Sequence, residues 1–287
     1  MAKHTNDTEA PFGTYAPGLL LAAILKRSGQ ASAGWLSRRL IFALRRLGLL
    51  LLNGQPADVE RLGCHMRLYP YKNTAEKRLL FTPQLFDPEE RAYLAPLITS
   101  GFTFADIGAN VGGYALFVAA LAGRSGRILA VEPQPDIFDR LQSNIQQSGL
   151  TQVVARRCAA SDQEGEVVLH IHADNQGEST LLDNGGARHR QVRVEAFRLE
   201  RLIRDAGFDR LDALKIDVEG LEDRILTEFL GSAPPELWPD ILIVEDGTLR
   251  WQLDVHALLA RSGYRQVLTT STNSIYRLVR PATASPG

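Results

Sequence analysis

Acidic residues recur where apolar runs end. Asp106 follows FTFA, Glu132 follows RILAV, and Asp162 comes shortly after VVARRCAA. Asp217 and Glu219 follow LDALKI, and Glu245 and Asp246 follow DILIV. A sheet serving only as scaffold needs turns at such places, not carboxylates. In open α/β sheets, ligands bind beyond the carboxyl ends of the strands, where these acids would gather. The first acid opens the turn FADIGANVGG, residues 104 to 113. Gly108 and Gly112 let backbone turn sharply and approach a ligand, because glycine has no Cβ. A helix starting just after aims its free N–H groups and positive dipole end at the same place. The glycine spacing is near that of a dinucleotide loop, but Asn110 stands where that pattern needs its second glycine. Asp106 would repel a pyrophosphate and attract an amine-bearing cation. Glu132, at the end of the next apolar run, can accept both hydroxyls of a ribose.

These residues need a sheet to bring them together, and the chain from Phe102 reads as one. FTFADIG, RILAVEP, TQVVARRCAA, LDALKIDVEG and DILIVED read as strands. Between them lie helical patterns at Tyr114 to Ala122, Pro135 to Gln147, Leu199 to Ala206, Leu221 to Leu230 and His256 to Ser262. EVVLHIH and QVRVEAF alternate with period two and can pair as an antiparallel excursion, with His170 and His172 expected exposed on its face. YRQVLTT and SIYRLV make a closing pair. The fold expected is α/β: a doubly wound, mainly parallel, seven-stranded Rossmann-like sheet with an N-terminal helical and β extension. The expected divisions are 1–57, a tail and basic amphipathic helix; 58–98, a small lead-in with hairpin strands ADVERLG and CHMRLYP; and 99–282, the main domain.

The chain of 287 residues carries a net charge of −1, which excludes a global field for nucleic acid. The charge is unevenly spread. Between Ala10 and Ala57 stand Lys26, Arg27, Arg38, Arg39, Arg45 and Arg46, with no acid. Residues 1 to 18 read as a loose tail, and the apolar run Leu19 to Leu25 is too short to span a bilayer. Residues 35 to 52, WLSRRLIFALRRLGLLLL, read as one helix with Leu36, Leu40, Leu44, Leu47, Leu50 and Leu51 on one arc and the arginines opposite. That arc either packs on the main domain or touches anionic lipid. Cys64 and Cys158 have no CxxC neighbour and fit a reducing compartment. The location expected is cytoplasmic, or on the cytoplasmic face of a membrane through residues 35–52.

DIGANVGGYAL at 106–116, VEP at 131–133, KIDVEGLE at 215–222 and IVED at 243–246 together resemble the FkbM-type methyltransferases. These are class I enzymes dependent on S-adenosyl-L-methionine. KIDVEG, followed by an acid two residues later, is the most specific of these stretches. The resemblance covers residues 58 to 280, and RLERL at 198–202 departs from it by Glu200 in place of an aspartate. It implies S-adenosyl-L-methionine as cofactor. Asp106, Gly108, Asn110 and Gly112 would line its methionine part, with Ala109, Val111 and Tyr114 adjoining. Glu132 and Pro133 would meet the ribose, Ala160, Ser161 and Asp162 the adenine edge, and Asp217 the methyl group. It also implies an oxygen acceptor, often a hydroxyl of a sugar, glycan or glycosylated metabolite.

Transfer to a hydroxyl is an in-line displacement, so the protein must supply orientation, desolvation and a proton acceptor. Either Asp217 or Glu219 is expected to take that proton. In the alternative reading Glu219 caps the helix starting at Gly220, and Asp217 only orders the cofactor. No metal is expected, although Asp217, Glu245 and Asp246 could converge as oxygen ligands. The polar loop ADNQGESTLLDNGG at 173–186 is the expected acceptor lid. Two other functions compete: a catalytically idle module that keeps the cofactor pocket, and a nicotinamide-dependent dehydrogenase, which Asn110 and Asp106 disfavour.

Overall fold

A computed structural model describes residues 5–31, 34–172, 175, 179–181 and 189–280. Three helices come first: α1 (Thr5–Glu9), α2 (Leu19–Gly29) and α3 (Trp35–Leu52). The antiparallel hairpin β1 (Ala57–Arg61) and β2 (Cys64–Leu68) follows, then α4 (Thr74–Phe81) and α5 (Pro88–Leu94). From residue 103, strand and helix alternate: β3 (Thr103–Ile107), α6 (Gly113–Ala122), β4 (Arg127–Val131), α7 (Pro135–Gln147) and β5 (Val153–Arg156). The excursion comprises β6 (Ala159–Ala160), β7 (Gly165–His172), β8 (Ser179–Thr180) and β9 (His189–Phe197). Alternation resumes with α8 (Leu199–Asp205), β10 (Ala213–Ile216), α9 (Glu222–Ser232), β11 (Ile241–Glu245) and α10 (Val255–Arg261). It closes on β12 (Tyr264–Thr269) and β13 (Asn273–Leu278).

The main sheet has seven strands in the order β12-β13-β11-β10-β3-β4-β5. All neighbours are parallel except β13, which runs against both β11 and β12. The chain builds outward from β3 through β5, then returns to the other side of β3 with β10. The switch point therefore lies between β3 and β10, where Asp106 sits in register with Lys215. Period-two alternation explains how the sheet is covered. Phe104, Ile128 and Ile243 face the core shared with α6, α7 and the N-terminal elements. Ala105, Leu129, Leu214 and Val244 face the core shared with α8, α9 and α10. The excursion forms a second, four-stranded sheet in which β7 and β9 pair antiparallel, as their alternation predicts.

Four expectations change. TQVVARRCAA is not one strand: Val153–Arg156 pairs with β4, while Ala159–Ala160 joins the second sheet beside β9. Residues 5–18 are not a loose tail. The Arg67 guanidinium donates to the carbonyls of Asp7, Ala10 (2.8 Å) and Pro11 (2.9 Å), and Asp58 accepts from the Gly13 and Tyr15 N–H groups. His170 is buried rather than exposed. Finally, α3 does not bury its leucine arc. Ile41, Gly48 and Leu52 face inward, and Leu40, Leu47, Leu50 and Leu51 face out together with Arg39 and Arg46. The cause is Gly48: a Cβ there would stand 2.5 Å from the Phe81 ring of α4. Only the glycine side of α3 can approach α4 that closely, and this sets the roll of the helix.

Candidate active site

The turn after β3 is built by hydrogen bonds to the next strand: the N–H groups of Gly108 and Ala109 both donate to the Val131 carbonyl at 2.9 Å. Gly108 has φ +82°, and a Cβ on it would lie 1.8 Å from the Asp217 carbonyl oxygen. Only glycine lets the two strand ends meet, which brings the turn against Asp217. Asn110 is also left-handed, at φ 50°, a conformation asparagine tolerates. Its side-chain oxygen accepts from Asn73 Nδ2 (3.0 Å) and from the Val111 N–H (2.9 Å).

One cavity of about 230 Å³ opens at the switch point. Asp106, Gly108, Ala109, Asn110, Val111, Tyr114, Glu132, Pro133, Ala160, Asp217 and Glu219 all line it. Gly112 and Ser161 do not. Gly112 is a packing glycine whose added Cβ would strike Leu116 and Leu141 at 2.2 and 2.9 Å. The Ser161 hydroxyl turns to Asp162 and the Gln163 N–H. Asp162 is drawn off by Arg224 at 2.8 Å. Of the expected lid at 173–186, only residues 175 and 179–181 are described; Asn175, Ser179 and Leu181 line the cavity, and the rest lies outside the described residues.

The glycine-loop end of the cavity is rich in buried carboxylate. Glu132 is buried, and its oxygens accept from the N–H groups of Asn110 and Gln134, both at 2.9 Å. Burial pushes its carboxyl up to about 7; the two N–H donors oppose this, while Asp106 and Asp217 add to it. Asp106 accepts from the Ala115 N–H at 2.8 Å, so it also caps α6. Burial raises its carboxyl to about 6 against the pull of Lys215.

The other end collects three acids and two cations. Asp217, Glu219 and Glu245 can each offer an oxygen within 4.8 Å of the others. Lys215 Nζ donates to Asp217 at 2.7 Å, and Arg250 bridges Glu219 (2.7 Å) and Glu245 (3.2 Å). Burial would lower the Lys215 ammonium, but Asp217 and Asp106 more than reverse that and hold it above its ordinary value. Burial, with Asp217 and Glu219 next to it, pushes the Glu245 carboxyl up to about 9. Each of the three acids is thus paired with a cation of the protein itself. Asp246 is not part of the cluster; it is exposed and accepts from the Thr248 N–H at 3.0 Å. Nor does Glu219 cap α9. Glu222, the first residue of α9, folds back onto the preceding turn instead, accepting from the Val218 (2.8 Å) and Gly220 (3.1 Å) N–H groups and from Trp251 Nε1 (2.9 Å). Glu219 itself holds φ 58°, a strained conformation of the kind that gathers at functional sites.

Beyond these acids the wall is made by Arg78, Phe86, Asp87, Thr272 and Asn273. Glu90, buried, fixes this part by accepting from Thr270 Oγ1 (2.6 Å) and Asn273 Nδ2 (2.8 Å). Lys215 and Arg250 escaped the reading of strand ends. Lys215 had a signal, a lysine inside the fully apolar run ALKI; Arg250, on a loop 31 residues from Glu219, had none.

Residues 106–265 match the model of the methyltransferase FkbM domain. The chain belongs to the FkbM methyltransferase family. Among its relatives is methyltransferase sdnD of Sordaria araneosa, 30% identical over 178 residues, which are 51% of this chain and 65% of that protein. Methyltransferase 1 of Beauveria bassiana is 26% identical over 46% of this chain and 60% of its own length. The AMB antimetabolite synthetase AmbE of Pseudomonas aeruginosa is 30% identical over 49% of this chain, but only 8% of that protein is covered. This FkbM chain therefore spans less than two thirds of each of these relatives. Solved structures of similar fold include a SAM-dependent methyltransferase from Aquifex aeolicus (TM-score 0.40, 13% identity, 68% of this chain and 92% of that one). A SAM-dependent O-methyltransferase from Thermotoga maritima aligns at TM-score 0.39 and 13% identity, over 68% of this chain and 67% of that one.

The FkbM family depends on S-adenosyl-L-methionine, and the donor set fits that cofactor. Glu132 is a buried acceptor suited to ribose hydroxyls, and the carboxylates of Asp106 and Asp217 favour a cation over a phosphate.

Proposed function

We propose that this chain methylates a hydroxyl of a sugar, glycan or glycosylated metabolite. The observation that carries the reading is the meeting, in one cavity, of the glycine turn and Glu132 with the cluster Asp217, Glu219 and Glu245. The bound cofactor supplies an electrophilic methyl group on sulfur. Glu132 holds the ribose, and the turn from Gly108 to Val111 shapes the cofactor wall. Asp217 is fixed by Lys215 beside the turn and orders the reacting end. The acceptor lies toward Arg78, Asp87, Thr272 and Asn273, whose mixed donors and acceptors suit a compound rich in hydroxyls.

The acceptor oxygen would take the methyl group as the sulfur–methyl bond of the cofactor breaks and its pair returns to sulfur, and the hydroxyl proton would pass to a carboxylate of the cluster. Asp217 and Glu219 are each held by a cation at 2.7 Å, whereas Arg250 reaches Glu245 only at 3.2 Å. Burial and its acidic neighbours raise the Glu245 carboxyl to about 9, so it keeps its proton until a cationic ligand enters the cavity. A cationic ligand lowers it toward working pH and leaves it ionised and ready. The test is incubation of the full chain with methyl-labelled cofactor and a panel of sugars, glycans and their aglycones, read by mass spectrometry. The expected product carries one methyl on oxygen. Tight S-adenosylhomocysteine binding with no transfer to any hydroxyl, or methylation on nitrogen or carbon alone, refutes the reading.

A further inference from the structure

We infer that the α2–α3 hairpin is a docking surface for an anionic membrane. The two helices pack side by side and antiparallel, with Leu21, early in α2, 3.5 Å from the Cβ position of Gly48, late in α3. Their outer side is apolar: Leu19 (94%), Leu20 (59%), Trp35 (67%), Phe42 (69%) and Leu50 (70%) are among the most exposed large apolar residues described. Scattered exposed leucines need no explanation, but a cluster on one hairpin does. At 100° per residue, Arg39 and Arg46 fall beside Leu50, between Trp35 and Phe42 on one flank and Leu40 and Leu47 on the other. Lys26 and Arg27 of α2 are exposed as well.

Charge selects the occupant. The whole stretch from Ala10 to Ala57 has six cations and no acid. Aromatic and leucine side chains interleaved with arginine, on a helix of low net hydrophobicity, suit the headgroup boundary, where tryptophan settles and anionic lipid attracts each cation. No described helix is long and apolar enough to cross a membrane. The hairpin is also joined to the acceptor wall. Phe81 of α4 packs on Gly48, and Gln84 donates to the carbonyls of Ser28 (2.9 Å) and Ala31 (3.0 Å). Docking would hold that wall close to the lipid surface, whatever the acceptor.

The test is sedimentation of the full chain with phosphatidylcholine vesicles, with and without phosphatidylglycerol, at low and high salt. Binding is expected only with the anionic lipid and at low salt. Arg39→Gln with Arg46→Gln should weaken it about 25-fold, taking roughly fivefold per cation. Phe42→Ser with Leu50→Ser should weaken it at least tenfold, on the order of the apolar burial lost. Val279→Ser, at another exposed apolar position, should change nothing. All of these side chains are exposed, so melting temperature and S-adenosylhomocysteine affinity should stay as in the parent protein. Absence of binding to anionic vesicles at low salt, or full binding by either double variant, overturns the inference. So does a dimer, seen by light scattering, that the Phe42 and Leu50 substitutions dissolve, because the face would then be covered by a second copy.

Discussion

Cofactor affinity should depend on pH through Glu132, and the size of the effect follows from its surroundings. In the folded chain its carboxyl titrates at about 7, against an ordinary value of 4.5. Ribose hydroxyls bind the ionised form, so below pH 7 each binding event must first remove a proton. At pH 5 about one molecule in a hundred is ready, so affinity should fall about 100-fold from its high-pH limit, or about 2.7 kcal/mol. Asp106, at about 6, should steepen the dependence further at the acid end. Titration calorimetry with S-adenosylhomocysteine from pH 5 to 8, in buffers of different ionisation enthalpy, reads both the affinity and the proton released. Glu132→Gln keeps the size of the side chain and removes the titration. It should leave only the shallower Asp106 dependence and bind about 10- to 100-fold more weakly at pH 8, through loss of charge-assisted hydrogen bonds. Stability of the ligand-free protein should move the other way. A carboxyl raised in the folded state binds more protons there than when unfolded, so stability falls as pH rises from about 4.5 to 7. Glu132→Gln should therefore melt higher than the parent at pH 8 and about equally at pH 4. An affinity flat from pH 5 to 8 in the parent, with no proton released, would show that Glu132 does not hold the ligand.

The acid cluster makes separable predictions. Asp217→Asn should abolish turnover while S-adenosylhomocysteine still binds, and retained turnover at normal affinity removes Asp217 from the reaction. Glu245→Gln should lower kcat by about 10²- to 10⁴-fold and remove the rise of kcat with pH expected of the parent; an unchanged profile assigns the proton to another group. Excess chelator should leave activity intact, because Lys215 and Arg250 already pair with all three acids, and a loss restored by added magnesium would contradict that account. Arg67→Met should cost about 3–5 kcal/mol by stranding buried Asp58, and should speed hydrogen exchange at residues 7–15. Burial alone would raise the Asp58 carboxyl, but Arg67 and the Tyr15 and Gly13 N–H groups hold it below its ordinary value. That stabilisation is present at neutral pH and is lost as pH falls below the ordinary carboxylate range, so the same segment should exchange faster in acid.

Much of this protein was legible in local pattern. Strand and helix alternation from Phe102, the acids at strand ends, and the turn at 104–113 depend on residues close in sequence. The KIDVEGLE motif and the antiparallel excursion do too. Period and turn chemistry act over a few residues, so the sequence by itself determined the doubly wound sheet, the cofactor class and the glycine-turn and strand-end part of the cavity lining. Only the tertiary structure decided which side of α3 faces inward, because the choice turns on Phe81 meeting Gly48 across another helix. It also decided that residues 5–18 are held, since Arg67 reaches back 56 residues to Pro11. It separated Asp246 from Glu245, turned Glu222 back onto the turn before α9, and set Arg250 between Glu219 and Glu245. These are pairings of side chains from distant elements. Their energies depend on separation in space and on burial, and neither exists until the sheet has closed around the site.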